Sequence, residues 1–429
     1  MRILSHEIPS AVGQSVTVAG WVHRRRRLAA VSFLILRDRS GLSQIVVKAP
    51  ETQAQLDELG EETVVQVTGT VAANPQAPGG AEIVDPVIEA LTEPAATPPI
   101  ELWRPTVGAG LPVVLDNAPV ALRHPSVRAG WEIAAAALHG FRRTMDGLEF
   151  TEIQTPKIVG TATESGANVF ALDYFGGPAY LAQSPQFYKQ TMVGVFERVF
   201  EVGPVFRAEP HDTVRHLAEY VSLDAEFGFI EGHRDVLAVL RSAVAGMLAA
   251  VGERAGAALE RLGVELPEIP VDVPVVHFSE ALKIAGADPD EPDLAPKDER
   301  AVGEWALREH GSEFVAVEGY PMVKRPFYTH PQPSDPRWSN SFDLLFKGVE
   351  LVTGGQRLHR YSEYAAVLEA RGESPQDPAY SSFLQAFKHG MPPHGGFAIG
   401  LERFVARLTG AENVREVTLF PRDLHRLTP

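Results

Sequence analysis

The sequence predicts an α+β protein in which a small N-terminal β-barrel precedes a larger domain, an antiparallel sheet flanked by helices. Three observations lead to this prediction. Residues 14–94 alternate apolar and polar side chains in short runs, as strands do, whereas residues 127–145 place apolar side chains at helical spacing. Later apolar, β-branched runs occur in pairs joined by charged or glycine-containing turns, the pattern of antiparallel hairpins.

Composition sets the outer limits of the prediction. At 429 residues the chain is long enough for two or three domains with a sizeable core. It contains no cysteine, which excludes disulfides, thiolate zinc sites and cysteine nucleophiles. We find no signal sequence and no run approaching a membrane span, so we expect a cytoplasmic protein with no membrane partner. The formal charge of −16 does not exclude nucleic acid, because binding needs only a local basic stripe.

Residues 1–95 are predicted to form an OB-fold barrel, since five strand-like runs are interrupted by a helix-like piece at residues 51–59. The open face of this fold accepts single-stranded nucleic acid. Between the first two strands lies the densest positive run of the chain, His23-Arg24-Arg25-Arg26-Arg27. Such a run is usually a solvated turn, but at the rim of an OB face it predicts phosphate contacts.

Residues 96–125 are predicted to be an interdomain linker because they are rich in proline, alanine and short polar residues, although Trp103 indicates that part of the segment packs. The larger domain then occupies residues 126–429. Within it, residues 232–312 are predicted to be a mostly helical insertion that carries no chemistry.

Four segments of the larger domain place arginines beside glycines or at strand ends: Arg207 after one strand, Arg215-His216 before the returning strand, Gly354-Gly355-Gln356-Arg357, and residues 395–403, which begin with Gly395-Gly396 and end with Gly400-Leu401-Glu402-Arg403. Glycines let a backbone approach a ligand closely, and the arginine fork matches a carboxylate or phosphate. A single arginine is more often a surface ion-pair partner. The four segments together predict a small anionic substrate, while the sequence has neither a Walker loop nor a Gly-x-Gly-x-x-Gly turn opening a helix.

Three further features suggest a substrate pocket. The loop at residues 160–168 is either a mobile cover or a plain surface loop. Lys189 begins a helix, and a lysine in a closed pocket prefers a carboxylate to an amide, although most lone lysines are exposed. A hairpin over residues 341–353 brings Asp343 near Glu350, and carboxylates beside a triphosphate imply Mg²⁺.

In this order, the segments resemble the motifs of class II aminoacyl-tRNA synthetases, and among them the aspartyl-tRNA synthetases of archaeal type. Motif 1 is matched by the helix ending near Glu149 with the strand at residues 151–158, motif 2 by residues 206–226, and motif 3 by residues 400–403. The resemblance extends nearly the whole length, to residues 419–423. It implies an enzyme that uses ATP and Mg²⁺ to activate L-aspartate and then transfers it to tRNA.

The resemblance also implies roles for individual residues. The catalytic residues would be Arg207, Arg403 and Glu350. The aspartate pocket would comprise Glu164, Gln186, Lys189, Arg207, Asp224, Thr353 and Arg357. The ATP site would comprise Arg207, Ala208, Glu209, Arg215, His216, Leu217, Tyr220, Glu350, Gly400, Leu401, Glu402 and Arg403. Mg²⁺ would be held by Glu350, Thr353 and Asp343, with threonine where the family commonly has serine. The tRNA anticodon would contact His23, Arg24, Phe33, Gln44, Pro78 and Glu82.

From the residues alone, several of these roles have plain alternatives. Phe33 could be a core aromatic, Asp224 could be only a strand-end acid, and Gln44 and Glu82 carry no signal by themselves. The class forms homodimers through motif 1, but the buried helix of a monomer would show the same pattern at residues 127–145.

Two departures from the family pattern concern the choice of tRNA. His23 follows Gly20-Trp21-Val22 where enzymes restricted to tRNA-Asp have a tryptophan, and the loop around Pro78 lacks their base-contacting lysine. We therefore expect an enzyme that charges both tRNA-Asp and tRNA-Asn, with a separate amidotransferase acting on the second product. Neutral drift in a surface loop is the alternative explanation.

Four other functions remain open at this point. The chain could be an enzyme restricted to tRNA-Asp, an asparaginyl-tRNA synthetase, a synthetase-like asparagine synthetase, or an OB-fold protein that only binds. Lys189 argues against the second and the predicted barrel against the third. The arginine segments with Glu350 argue against the fourth.

Overall fold

The computed structural model describes residues 2–161, 168–210 and 212–428. The chain forms two compact units, Met1–Pro125 and Ser126–Pro429. We call them unit 1 and unit 2 and describe each by itself.

Unit 1 is a closed five-stranded barrel with strand order β1-β2-β3-β5-β4, which confirms the predicted OB-fold barrel. Its elements are β1 (Ser15–Arg27), β2 (Ser32–Arg37), β3 (Leu42–Val47), α1 (Pro50–Glu58), β4 (Val64–Ala73), β5 (Ala81–Ala90), α2 (Leu111–Asp116) and α3 (Ala118–Ala121). Alternation along β2 buries Leu34 and Leu36 in the barrel core and leaves Phe33 and Ile35 partly exposed. Residues 96–125 belong to this unit.

Unit 2 contains an eight-stranded sheet of order β12-β13-β14-β15-β16-β11-β10-β6 and a three-stranded sheet of order β7-β9-β8. Its first elements are α4 (Pro125–Gly147), β6 (Thr151–Glu152), β7 (Ile158–Val159), β8 (Ala171–Tyr174), β9 (Gly177–Leu181), α5 (Gln186–Phe196), β10 (Arg198–Phe206), β11 (Glu219–Gly228), α6 (His233–Arg254) and α7 (Gly256–Leu262). They are followed by β12 (Val275–His277), α8 (Phe278–Ala285), α9 (Pro296–His310), β13 (Phe314–Glu318), β14 (Ser341–Phe346), β15 (Val349–Gln356), α10 (Tyr361–Ala370), α11 (Pro378–Lys388), β16 (His394–Gly400) and α12 (Leu401–Thr409).

The large sheet is antiparallel at every neighbouring pair except β12–β13 and β10–β6, so the predicted antiparallel sheet flanked by helices is confirmed with a parallel pair at each edge. One face of the sheet carries the core. Phe141 of α4 and Met247 of α6 join Phe342 and Phe397 of the sheet in a single apolar cluster. Side chains that point to the other face are left free to form a site.

The predicted strand at residues 151–158 is wrong in extent, because only its two ends are strands. Pro156 has no N–H for a ladder hydrogen bond. Thr155 instead donates its backbone N–H and its hydroxyl to the Glu201 carboxylate, at 3.1 and 2.7 Å.

Residues 232–312 are mostly helical, as predicted, but they are no appendage to the fold. Helix α6 supplies Leu240, Val244 and Met247 to the core, and β12 extends the sheet at its edge. Among the described residues, α6 alone is long and apolar enough to cross a membrane, which the sequence analysis did not recognise. The apolar residues of α6 pack in the core. The central helix of a globular domain shows the same length and apolar composition.

Candidate active site and nucleic-acid face

A cavity of about 470 Å³ lies over the face of the large sheet opposite the core. The predicted site residues that line it are Gln186, Lys189, Arg207, Glu209, Arg215, His216, Leu217, Tyr220, Glu350, Thr353, Arg357, Gly400, Glu402 and Arg403. Ala208, Asp224, Asp343 and Leu401 do not line it, and Glu164 lies outside the described residues. Strands β10, β11, β15 and β16 with helices α5 and α12 therefore bring most of the predicted residues together.

Two buried cations occupy one end of the cavity. Lys189 of α5 donates from Nζ to Asp224 Oδ1 at 2.9 Å and lies 3.4 Å from Glu226 Oε2. Arg357, just after β15, donates from Nε to Glu226 Oε1 at 2.9 Å and from Nη2 to the Gly396 carbonyl at 3.0 Å. Asp224 thus holds Lys189 in place, and the fixed cations face the cavity that both of them line.

Glu226 is central to this end of the site, and sequence reasoning missed it. Burial opposes ionisation of this carboxyl, but Arg357 and Lys189 outweigh it and hold the pKa of Glu226 below its usual value. Burial likewise opposes the charge on Arg357, and Glu226 raises the pKa of that guanidinium. Glu226 and Arg357 are therefore both charged at neutral pH. The sequence signal was an acid between the apolar residues Ala225 and Phe227 of a strand, and its position opposite Gly396 appears only in the structure.

Protein atoms crowd two of the glycines in β15 and β16, Gly354 and Gly396, whereas no atom of the described residues comes closer than 3.8 Å to a Cβ at Gly400, which lines the cavity. A Cβ at Gly396 would collide with Glu226 Oε2 and the Ala225 carbonyl. A Cβ at Gly354 would lie 2.6 Å from the ring of Phe342. Close approach of neighbouring strands and of the Glu226 carboxylate requires these two glycines, so their first role is to admit protein groups and not a ligand.

Arginine side chains line the other end of the cavity. Arg207 lies over the Tyr220 ring at 5.6 Å, and its Nη1 is 4.0 Å from Glu209. Nη1 of Arg215 is 3.8 Å from Glu299, a residue of α9 that the sequence analysis missed in a segment thought to carry no chemistry. Guanidinium groups that line a cavity suit an anion with several oxygens, such as a polyphosphate.

His216 and Arg403 complete this cationic end. His216 contacts the Thr213 hydroxyl at 2.6 Å, and Nη1 of Arg403 donates to the Glu350 carbonyl at 3.3 Å. The same Nη1 lies 3.7 Å from the Glu350 carboxylate. Arg403 therefore links motif 3, to which it belongs, with Glu350, whose carboxylate we expect to bind a cation.

Glu350 and Thr353 fit a magnesium ion that also takes phosphate oxygens. Burial and then the nearby Asp343 charge raise the pKa of Glu350, and burial raises the pKa of the neighbouring Glu299. A cation would relieve this crowding of negative charge. Among the described residues, no three His, Cys, Asp or Glu side chains come close enough to hold an ion alone. This agrees with Mg²⁺, which usually needs only one or two carboxylates besides phosphates and water.

Asp343, predicted as a metal ligand, is already engaged elsewhere. Its Oδ2 accepts from Arg325 Nη2 at 3.0 Å, and the carboxylate is almost fully buried outside the cavity lining. Arg325 itself lies over the Tyr320 ring at 4.0 Å and lines the cavity, although sequence reasoning missed it. The other oxygen of Asp343, Oδ1, has no hydrogen-bond partner among the described residues, so Asp343 stays a predicted ligand that Arg325 holds in place. An acid on a strand is visible in sequence, but its partner from a distant loop is not.

Two of the predicted ATP-site residues act from within the protein. Leu401 is fully buried in the apolar core. Glu402 accepts the N–H of Val221 at 3.1 Å with both carboxylate oxygens and so fixes the strand next to Tyr220. Burial, with a smaller effect of Glu219, raises the pKa of Glu402 to about 7.

The outer face of the barrel presents the residues predicted to read the anticodon. Gln44 of β3 pairs with Glu82 of β5 and donates to its carboxylate at 2.8 Å. Phe33 of β2 pairs with Arg26 of β1 on one side and with Val46 of β3 on the other. Pro78 begins a short 3-10 helix at Pro78–Gly80 in the loop just before β5. A ring, an amide and a carboxylate on one open face are the groups used to stack and read unpaired bases.

His23 and Arg24 are not free for that face, which corrects the sequence-based assignment. His23 lies at a β-bulge and is buried, and burial followed by the Arg37 charge lowers its pKa to about 4. Arg24 stacks on Trp103 with its guanidinium carbon 3.8 Å from the ring centroid. Sequence reasoning placed this run between the first two strands, whereas β1 extends to Arg27 with a β-bulge between Val22 and Arg24.

The other three arginines of the run also differ in their contacts. Arg25 donates to the carbonyl groups of Leu56 and Asp57 at the end of α1, and Arg27 pairs with the Asp57 carboxylate. Arg26 is exposed and makes no ion pair with another described residue. Arg26 is therefore the member of the run best placed to contact a ligand on the outer face.

Fold, cavity and barrel face together define a class of protein. Residues 112–424 match the tRNA synthetases class II (D, K and N), and residues 16–91 match the OB-fold nucleic acid binding domain. The chain belongs to this class II tRNA synthetase family, and as a member of it is an enzyme of the ligase type.

Individual relatives narrow the comparison further. The chain is 44% identical to an aspartate–tRNA(Asp/Asn) ligase of Thermus thermophilus, over 100% of both chains. It is 42% identical to the enzyme of the same name from Deinococcus radiodurans, over 100% of this chain and 99% of the relative. Among solved structures, it resembles an asparaginyl-tRNA synthetase from Pyrococcus horikoshii complexed with asparaginyl-adenylate, with a TM-score of 0.92, 30% identity and 100% coverage of both chains.

Proposed function

We propose that the chain is an aspartate–tRNA ligase that charges both tRNA-Asp and tRNA-Asn. The observation that carries the proposal is the pair of buried cations, Lys189 and Arg357, at one end of the cavity. An aspartate side chain would place its carboxylate between them. Full-length relatives that share 38–44% of the sequence have this activity in their names.

In the first step, the α-carboxylate of aspartate attacks the α-phosphorus of ATP, forming aspartyl-adenylate and releasing pyrophosphate. Lys189 and Arg357 anchor the amino acid by its side chain, so its α-carboxylate is directed toward the nucleotide. Arg207 then neutralises charge at the α-phosphate, while Arg215, His216 and Arg403 hold the outer phosphates. Tyr220 stacks on adenine, and Glu209 accepts from its edge.

Mg²⁺ bound at Glu350 and Thr353 would supply charge neutralisation for the phosphates. At the amino-acid end of the cavity, Gln186 supports the binding of a polar ligand. It is 4% exposed, and its Nε2 has no hydrogen-bond partner among the described residues. A buried amide without a partner carries a free-energy cost that a bound polar group would remove.

In the second step, the terminal adenosine of tRNA attacks the adenylate, and the barrel face selects the tRNA. Phe33 stacks on an anticodon base, and Gln44 with Glu82 reads base edges. His23 lies behind this face and acts through the bulge of β1, not by direct contact. The product Asp-tRNA-Asn would then require a separate amidotransferase. We further propose a cytoplasmic homodimer assembled through the motif 1 segment, in which Ile158 is exposed.

An asparaginyl-tRNA synthetase is the second candidate, because a solved structure of that kind superposes with a TM-score of 0.92. The cation pair separates the two functions. An aspartate carboxylate can accept charge-assisted hydrogen bonds from Lys189 and Arg357 with both of its oxygens. An asparagine amide has only one acceptor oxygen, and its NH2 group cannot accept from either cation.

Pyrophosphate exchange driven by aspartate and by asparagine, measured in parallel, tests the proposal. We expect exchange with aspartate at a kcat/KM roughly a hundredfold or more above that with asparagine, equal to about 3 kcal/mol or more. Exchange that depends on asparagine alone would replace the proposal with the second candidate. Exchange with neither amino acid would remove both.

A further inference from the structure

The loop between β10 and β11, residues 207–218, carries much of the cationic end of the cavity. Arg207, Glu209, Arg215, His216 and Leu217 all line the cavity from this loop. The loop contains no regular helix or strand in its described part. Phosphate-binding groups on such a loop need support from behind to keep one orientation.

That support comes from the segment after α12. The N–H of Val414 donates to the Val214 carbonyl at 2.9 Å, and the N–H of Ala218 donates to the Arg422 carbonyl at 2.7 Å. Two backbone hydrogen bonds therefore join the loop to residues 413–423. Val414 also lines the cavity, so the segment forms part of the site.

Arg415 of this segment connects three parts of the chain. It donates from Nη2 to Asp212 Oδ1 at 2.7 Å and from Nη1 to the Thr213 carbonyl at 3.1 Å, both in the loop. It also donates from Nε to Asp423 Oδ2 at 2.6 Å, near the C-terminus. One guanidinium thus joins the back of the loop to the C-terminal segment by charge-assisted hydrogen bonds.

Burial makes this connection strong. Arg415 is 7% exposed, so its hydrogen bonds compete little with water. Burial raises the pKa of Asp423, but the hydrogen bond from Arg415 and others outweigh burial and hold that pKa below its usual value. An exposed arginine pair would contribute little rigidity by comparison.

We propose that Arg415 is a positioning residue for nucleotide binding, which fixes the β10–β11 loop from the side away from the ligand. Arg415 does not line the cavity and acts through the loop that carries Arg207 and Arg215. The inference rests on the proposed function only in taking ATP as the ligand of the cationic end.

Mutations can separate the contacts of Arg415 with the β10–β11 loop from its contact with the C-terminal segment. Asp212→Asn weakens the bond between Arg415 and the loop, together with the 3.7 Å contact of Asp212 with His425, at a half-exposed side chain that should not be needed for folding. Asp423→Asn weakens only the bond to the C-terminal segment. Arg415→Lys keeps the charge but cannot serve three acceptors in one plane. Arg308→Gln, on the exposed surface of α9, is the matched control.

Equilibrium binding of ATP without amino acid is the first measurement, because it does not depend on aspartate activation. We expect Asp212→Asn and Arg415→Lys to weaken ATP binding about tenfold, with Arg308→Gln unchanged. In pyrophosphate exchange, the KM for ATP should rise by a similar factor while the KM for aspartate stays within about twofold of wild type. Failure of the wild type to exchange with aspartate would count against the proposed function alone.

Two results would overturn the positioning role. One is unchanged ATP binding in Asp212→Asn, which would show that the loop does not need this bond. The other is an equal rise in the KM for ATP and for aspartate with a lowered melting temperature in Arg415→Lys, which would indicate a general structural role.

Discussion

Glu226 and Arg357 form a buried ion pair across two strands of the large sheet, with 2.9 Å between Arg357 Nε and Glu226 Oε1. Glu226 is fully buried and Arg357 is 7% exposed. Lys189 lies 3.4 Å from the other carboxylate oxygen. The cations that select the substrate are therefore positioned before any substrate arrives, which reduces the ordering needed on binding.

Replacing Lys189 by alanine should remove aspartate activation and leave ATP binding largely intact. The variant leaves the pocket with one cation fewer and with Asp224 unpaired, so we expect kcat/KM for aspartate to fall by about a hundredfold or more. Pyrophosphate exchange and ATP binding measure the two effects separately. Lys388→Ala, at an exposed lysine of α11, is the control. A parallel loss of ATP affinity would show that Lys189 serves the nucleotide or the fold instead.

Adding a methyl group at Gly396 should displace the Glu226 carboxylate and loosen the β11–β16 pairing. The new Cβ would meet Glu226 Oε2 and the Ala225 carbonyl, and overpacking of this kind costs about 1–3 kcal/mol or more. Denaturant unfolding of Gly396→Ala should show this loss. Gly256→Ala, in open space at the start of α7, should be neutral or slightly stabilising. Equal stability of the two variants would contradict the packing argument.

Arg26 should matter for tRNA more than its neighbour Arg27. Arg26 is exposed beside Phe33 on the outer face, whereas Arg27 is paired with Asp57. We expect Arg26→Gln to raise the KM for tRNA several-fold and to reduce the slope of log affinity against log salt by about one ion. Arg27→Gln should have a smaller effect, and adenylate formation should stay unchanged in both. An unaltered KM for tRNA in Arg26→Gln would show that the exposed end of β1 is only solvated and does not contact tRNA.

Glu402 should make stability depend on pH between about 5 and 7. Burial raises the pKa of its carboxyl from the ordinary value of 4.5 to about 7 in the folded protein. The folded state then holds a proton that the unfolded state has lost, so stability is greatest below pH 4.5 and decreases as pH rises toward 7. This decrease amounts to about 3 kcal/mol for the shift. Denaturant unfolding of wild type and Glu402→Gln from pH 5 to 8 measures it, and parallel pH profiles would contradict the assignment.

The sequence predicted the architecture well because strands and helices leave periodic traces. Leu34 and Leu36 alternate with Phe33, and the paired runs of β10 with β11 and of β14 with β15 occur as expected. Arginines beside glycines identified the cavity wall because such residues are rare inside a fold without a partner.

What the sequence could not predict depends on contacts between distant segments. Asp343 is held by Arg325, and Arg415 reaches Asp212 across 203 positions of chain. The bulge that buries His23 shifts the strand register by a residue, which no alternation pattern reveals. Buried ion pairs of this kind form between residues that are close only in the folded structure. The local spacing of residues in the sequence does not predict them.

The central claim is that one enzyme charges two tRNAs with aspartate, and charging of the two transcripts under identical conditions tests it most directly. We expect kcat/KM values for tRNA-Asp and tRNA-Asn that agree within about tenfold, a difference of about 1.4 kcal/mol. A preference for tRNA-Asp of about a thousandfold or more, equal to about 4 kcal/mol, would contradict the claim and leave an enzyme restricted to tRNA-Asp.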